Sequence, residues 1–507
     1  MVLATPISVP AGRSRRRSQA GVAGENVPVR SGIRPEAVVG VAVAQLAIVA
    51  LGLPALLASP RLSAASAALV AVMNIALLMR LHGNRQVSLG SVFLLIYAVF
   101  HVGLTPYLIF GTRPKLLTQV TGDPLTWLLS PQISAALVLV VVSMSAFLLG
   151  YAVVACRRST GRHQRPAVAP SGRLTTSSIV WMGPVLMLVG SVLLLKVVLS
   201  EGLGTLGADN YALFRTEQHT PELAWSFMFL GIGMGVLGTS GRLGKSHWWA
   251  LAFLPVVVLP LVIGWRSGTI FPLAAFLVAW SRRQHVRIRL WHGAAFVGLL
   301  TLGSVVRQAR EGGPSGFSLT GASLNPLDGL AEMSATLRTI VVVREWDVAG
   351  HVPPVGWQTY WAPVERLIGH ALGLDVVPAT LDERNLSTAF LAQPELGAIG
   401  GSPTAEAYRA AGVVGVVVVM ALLGAAIAFL DSRRSWSLWE YSVGMVGYVL
   451  LVWTRNNFTP VVAQVGLCIA IVILANLFDR VRSGQFDEAS RSGIQRPGRT
   501  PTRQPAR

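Results

Sequence analysis

Long apolar runs, separated by short polar breaks, recur along almost the whole chain. A bilayer core asks for about 18–20 apolar residues in helical form. Twelve segments approach that demand: about 37–57, 62–79, 88–110, 132–155, 178–199, 222–240, 247–263, 269–280, 291–306, 411–430, 436–453 and 459–478. The eighth is short and forms a hairpin with the seventh, turning at Gly264-Trp265-Arg266-Ser267-Gly268. Helices are the expected spanning form, because each satisfies its backbone polar groups within its own segment. The alternating pattern of a membrane barrel strand is absent. The expectation is an all-α polytopic membrane protein of about twelve transmembrane helices, nine in 37–306 and three in 411–478.

One interruption is long, from 307 to 410. It holds Arg307, Arg310, Arg338, Arg344, Arg366, Arg384 and Arg409. Asn325-Pro326 supplies an N-cap and a first-turn proline for a helix through about Val343. Leu327, Leu330, Met333, Leu337 and Ile340 space at threes and fours, so that helix is amphipathic. A second short helix is expected from Thr359 to Leu372. These stripes predict a small packed cap rather than a loose linker.

Composition agrees with a membrane chain: 52% of the 507 residues are hydrophobic and 13% charged, against about 25% charged in a soluble domain. The formal net charge is +19, which raises nucleic acid as a partner. Placement argues otherwise. With the N-terminus inside, two thirds of the 42 basic residues fall on the inner side, as the positive-inside rule requires. The other side holds acids and bases in near balance. The excess is therefore a topology signal with a minor attraction to anionic lipid, and no nucleic-acid module is visible. Residues 1–36 and 479–507 read as disordered basic cytoplasmic tails, and the first helix as uncleaved. The two cysteines, Cys156 and Cys468, suggest neither a disulfide nor a metal site.

Candidate chemistry concentrates on the outer side. Arg266 sits between glycines at the end of two spans. It reads either as an interfacial arginine beside a Trp anchor or as a phosphate ligand whose guanidinium matches phosphate oxygens bidentately. Arg307 and Arg310 share a helical face as the ninth span ends, with the same two readings. Arg455 lies in the tight turn Trp453-Thr454-Arg455-Asn456-Asn457, where clustered polar residues suggest a lined cavity. Tyr211 and Arg215 stand one turn apart on another outer loop, as an amphipathic turn or a ligand pair. Glu406 reads as a helix N-terminal acid or as a general base whose pKa burial raises. Tyr408 follows it, and His351 and His370 are alternative bases. No D-x-D occurs, and Gly238 to Ser246 misses the P-loop pattern, so no metal, cofactor or nucleotide is expected.

The order of these pieces resembles a family. A glycine-flanked arginine precedes one large outer loop. Gly356-Trp357-Gln358-Thr359-Tyr360 with Pro363 and Arg366 follows, then G-G-S-x-x-x-E-x-Y-x-x-x-G from Gly400 to Gly412, then an arginine in the last outer turn. This resembles the Wzy-type oligosaccharide repeat-unit polymerases over roughly Leu195 to Phe478. Two positions depart from the family pattern: Ala410-Ala411 stands where an Asn-Phe pair is common, and Pro403 replaces an aliphatic residue. The resemblance implies a GT-C-like membrane glycosyltransferase in the bacterial cytoplasmic membrane. Its substrates would be undecaprenyl-pyrophosphate-linked oligosaccharides, joined on the outer face. A chain-length regulator and a flippase are the implied partners. Arg266, Arg307, Arg310, Arg366 and Arg455 would hold pyrophosphate or sugar, and Glu406, His351 or His370 would take the proton. An O-antigen-type ligase and a lipid-linked oligosaccharide flippase are the alternatives. The flippase is disfavoured because the spans are almost free of charge.

Overall fold

A computed structural model describes residues 32–82, 87–112, 125–160, 179–201, 221–239, 246–262, 266–282, 289–312, 324–350, 355–392, 396, 400–432 and 438–491. All regular structure among them is helical. The first half contains α1 (Pro35–Leu51), α2 (Leu53–Ala58), α3 (Pro60–Leu81), α4 (Leu89–Val102), α5 (Thr105–Phe110), α6 (Ile133–Thr160) and α7 (Ile179–Glu201). Next come α8 (Pro221–Thr239), α9 (Ser246–Val262), α10 (Arg266–Ser281) and α11 (Leu290–Gly312). The long inter-span segment folds into α12 (Pro326–Met333), α13 (Leu337–Ala349), α14 (Gln358–Ala371) and α15 (Leu386–Leu391). The chain closes with α16 (Pro403–Ser432), α17 (Leu438–Trp453) and α18 (Phe458–Arg491).

Six of the described helices are long and apolar enough to cross a membrane: Pro60–Leu81, Ile133–Arg157, Trp181–Ser200, Glu222–Thr239, Pro403–Ser432 and Phe458–Asp479. Shorter apolar helices occupy the other places where the hydropathy pattern suggests spans. Several expected helices differ in detail. The first is interrupted at Gly52, and the one over 88–110 breaks at Gly103-Leu104 into α4 and α5. The helix expected from Asn325 to Val343 divides at a 3-10 turn, Ser334–Thr336, into α12 and α13. Its start is as expected: the Asn325 side chain accepts the Leu327 N–H at 3.1 Å, with Pro326 in the first turn. The helix expected at 359–372 is α14.

The centre of the bundle is α6 packed along α16. Gly150 and Gly424 make the approach possible, since a Cβ at either would overlap a backbone carbonyl of the facing helix. Small residues at helix crossings of this kind let backbones touch where lipid supplies no competing hydrophobic drive. α4 packs beside them and is fixed at its start by Asp431, near the far end of α16. The Asp431 carboxylate accepts the N–H of Leu89 at 3.0 Å and of Gly90 at 2.9 Å, and the Tyr151 hydroxyl at 2.9 Å. Arg282 lies 3.7 Å from the same carboxylate. The orphan N–H groups of a helix start are thus satisfied by a charge that suits the macrodipole. α16 is not straight: Gly412 has φ 59° and Ala411 is also non-helical, separating a first segment, Pro403 to Ala410, from the long apolar run.

Candidate functional site

The site is built around the stretch Gly400 to Arg409, which leads into α16. Gly400 and Gly401 press on the turn between α17 and α18. A Cβ at Gly401 would overlap Asn457, and one at Gly400 would come within 3.1 Å of the Arg455 carbonyl. The Gly400 carbonyl accepts the Thr339 hydroxyl at 2.6 Å. The next polar residues turn inward, toward spans far off in sequence. Thr404 Oγ1 hydrogen-bonds with the Tyr97 hydroxyl at 2.6 Å and with Ser143 Oγ at 2.9 Å. His101 Nδ1 lies 3.0 Å from the Tyr97 carbonyl, which can only accept, so this nitrogen carries the proton. His101 Nε2 then accepts the Ser402 hydroxyl at 2.9 Å. All five side chains are buried.

One turn further, Glu406 is 1% exposed. Its two carboxylate oxygens each accept the Phe458 N–H at 2.9 Å, and Oε2 also accepts the Trp453 indole N–H at 3.3 Å. Phe458 opens α18, so Glu406 supplies from another helix the acceptor that an N-cap side chain ordinarily provides. Arg409 follows one turn later. It donates to the carbonyls of Glu383 at 3.0 Å and Arg384 at 3.5 Å, tying the loop to α16. Tyr360, on α14, closes the cluster: its ring stands edge-on to Phe458 at 5.0 Å and to Trp453 at 6.5 Å. Its hydroxyl is buried with no hydrogen-bond partner among the described residues.

The expected arginines divide. Arg455 lies next to Gly400, with its guanidinium 5.3 Å from the centre of the Phe100 ring. Arg366 is buried in an ion pair with Asp382, and it donates to Asn385 Oδ1 at 2.9 Å. Asn385 Oδ1 in turn accepts the Thr459 hydroxyl at 3.0 Å, so this arginine holds the cap on α18. Burial by itself would raise the Asp382 carboxyl, but the hydrogen bonds and charge of Arg384, with Arg366 beyond, hold it below the usual carboxylate range. Tyr408 donates to Asp347 at 2.6 Å, accepts from Arg344, and has that guanidinium 5.0 Å over its ring. His370 is exposed on α14. Arg266 opens α10, and Arg307 and Arg310 lie near the end of α11; their side chains fall outside the described residues. Tyr211, Arg215 and His351 lie outside them altogether.

An apolar cavity of about 60 Å³ has Phe100, the ring under Arg455, in its wall. Val99 and Phe100 of α4, Ile270 of α10, Phe296 and Leu300 of α11 and Met333 of α12 line it. Arg266 precedes Ile270 by one helical turn, and Arg307 follows Leu300 by two. Their backbone positions therefore fall on the cavity-lining sides of α10 and α11.

The buried partners Tyr97, His101 and Ser143 are members of this site that the sequence assigned no role. A signal existed: tyrosine and histidine inside an apolar span are costly unless they have partners.

A bundle of membrane-length helices, with one cluster of buried polar residues and arginines where the long inter-span segment meets it, is a multi-pass membrane protein with a candidate site at one end. The match to known families agrees: the family model for O-antigen polysaccharide polymerase Wzy covers residues 41–481. The chain belongs to that family, whose members join lipid-linked oligosaccharide repeat units into O-antigen polysaccharide. No curated protein and no solved structure matches it.

Proposed function

We propose that the chain polymerises undecaprenyl-pyrophosphate-linked repeat units on the outer face of the bacterial cytoplasmic membrane. In this reading it has about twelve spans of GT-C-like arrangement, both termini cytoplasmic, and the segment 307–410 outside. The observation that carries it is the shared wall between Arg455 and the apolar cavity. Phe100 lines the cavity and lies under the guanidinium. A lipid pyrophosphate needs that pairing, with a cation for its head and an apolar recess beside it for its first isoprene units.

A hydroxyl oxygen of the incoming unit attacks the anomeric carbon of the growing chain. The bond from that carbon to the pyrophosphate oxygen breaks, and the electron pair leaves with polyprenyl pyrophosphate. Arg455, with Arg266, Arg307 and Arg310, stabilises the charge that develops on the leaving group, at a low-dielectric boundary where fixed cations act strongly. This supply of charge requires no metal. Arg366 serves the reaction through the cap, and Tyr408 with Arg344 fixes the loop onto α16. The hydroxyl proton passes to one of the three bases the chain offers, Glu406, His351 or His370. A chain-length regulator and a flippase act with it on the same substrate.

The test is glycan length in a deletion strain complemented by Arg455→Ala. Single repeat units with normal protein levels are expected. Long polymer in that strain would remove Arg455 from the site. Full-length but unattached chains in the plain deletion strain would make the protein a ligase.

A further inference from the structure

The segment from Trp357 to Asp382 has its polarity reversed. On α14, the buried positions Thr359, Ala362, Arg366 and Gly369 recur at threes and fours. The opposite face carries Trp357, Trp361, Ile368 and Leu372, all exposed, from 48% to 68%. A helix lying on a protein in water turns its apolar stripe inward and its charges out. Here the arginine faces inward and the tryptophans face out. The pattern continues past α14. Gly373, with φ 68°, turns the chain back, Val376 packs against Gly369, and Leu374 and Leu381 are exposed at 59% and 69%. The charges are paired: Asp382 with Arg366 in the interior, and Arg384 with Asp382 and with Glu365, whose half-exposed carboxylate lies between Trp361 and Ile368.

The position of this hairpin identifies what covers it. Tyr360 contacts Phe458, the first residue of α18, and Leu367 lies against Gly466. Seven steps along α14 thus match eight along α18, so Leu367 lies about 12 Å along a membrane-length helix. α18 presents its own exposed apolar side chains, Ile469 and Ile473, just beyond. The tryptophans stand level with the start of α18 and the aliphatic residues lie deeper, which is the order of a membrane interface. We propose that residues 357–382 form a hairpin seated in the lipid leaflet on the loop side, its outer face covered by acyl chains. The reaction site is thereby held at the bilayer surface, whatever saccharide it joins. Asp375, exposed at the tip, and Glu365, half-exposed but paired with Arg384, are the carboxyls the hairpin carries outward. Against them stand six large apolar side chains, and interfacial segments of this composition remain bound.

The experiment uses the full-length protein in phosphatidylethanolamine–phosphatidylglycerol bilayers, with Cys156→Ser and Cys468→Ala. Nitroxides are placed singly at Ile368, Leu372 and Leu381, with exposed Val348 on α13 as the aqueous reference. Oxygen collisions are expected to exceed those of a water-soluble nickel chelate at 368 and 372, with the ratio reversed at 348. Nickel dominating at 368 and 372 would overturn the proposal, because the face would then be wet. Exclusion of both quenchers would also overturn it: spin–spin broadening would identify a second copy, and its absence another protein. Should labelled protein fail to purify, the same cysteines in open membrane sheets serve with a charged maleimide. Protection at 368 and 372 beside modification at 348 supports lipid cover, and equal modification refutes it. None of these readouts depends on polymer synthesis, so failure of the hairpin and failure of the polymerase reading are separable.

Discussion

The Glu406 carboxylate holds the start of the last helix: both of its oxygens accept the Phe458 N–H at 2.9 Å. The turn that carries Arg455 ends at that amide, so the acid and the arginine are mechanically joined. This contact separates two roles for one residue. Glu406→Gln keeps an oxygen to accept from Phe458 but cannot take up a proton at neutral pH. If Glu406 is the base, this variant makes only single repeat units while its thermal midpoint in detergent stays near wild type. If it is an anchor, Glu406→Gln retains polymer and Glu406→Ala lowers both polymer length and midpoint. Loss of a buried acceptor costs about 1–3 kcal/mol.

Arg455 tests the anion-binding claim. A lysine keeps the charge but loses the planar fork that matches phosphate oxygens. Arg455→Lys is expected to shorten the polymer partially and Arg455→Ala to abolish elongation, both at normal abundance on immunoblots. Equal, full-length polymer in both strains would show that this guanidinium holds no substrate.

Much of the bundle was legible in advance because hydropathy is a local property. The helices at Pro60–Leu81 and Phe458–Asp479 follow from their own residues, as does the Asn325-Pro326 start of α12. The site was legible only in outline. The Gly-Gly-Ser stretch and Glu406 stood out as a motif, but their partners did not. His101 meets Ser402 across 301 positions, and Asp431 meets Leu89 across 342. No periodicity encodes such pairings, since they exist only once helices have packed. Arg366 shows the same limit from the other side. The family resemblance implied that it holds pyrophosphate or sugar; in the fold it pairs with Asp382, sixteen residues on.

The His101–Ser402 bond makes a stability prediction. Both groups are fully buried, so His101→Ala removes Ser402's acceptor and leaves a cavity beside Tyr97, whose ring stacks on the imidazole at 4.1 Å. A loss of about 2–4 kcal/mol is expected from the orphaned hydroxyl and the cavity together, read as a lower thermal midpoint. The double variant His101→Ala/Ser402→Ala is expected to recover part of it, because no buried donor is then stranded. Additive losses would mean that the two residues do not interact.

Asp382 gives a pH prediction with a definite sign. Its carboxyl is held below its ordinary value in the fold: burial opposes this, and Arg384 with Arg366 outweighs the opposition. A group whose folded pKa is depressed adds stability above its unfolded value, about 3.9, and loses it as pH falls through the lower folded value. Wild-type protein should therefore lose thermal stability on acidification below about pH 4 more steeply than Asp382→Asn, which has no proton to gain. At neutral pH the wild type is the more stable of the two. Asp382→Asn strands the buried Arg366 charge, and breaking a buried pair from one side costs about 3–5 kcal/mol. Melting curves of the two proteins in detergent should converge as pH drops, and parallel curves across that range would show that the pair does not stabilise the cap on α18.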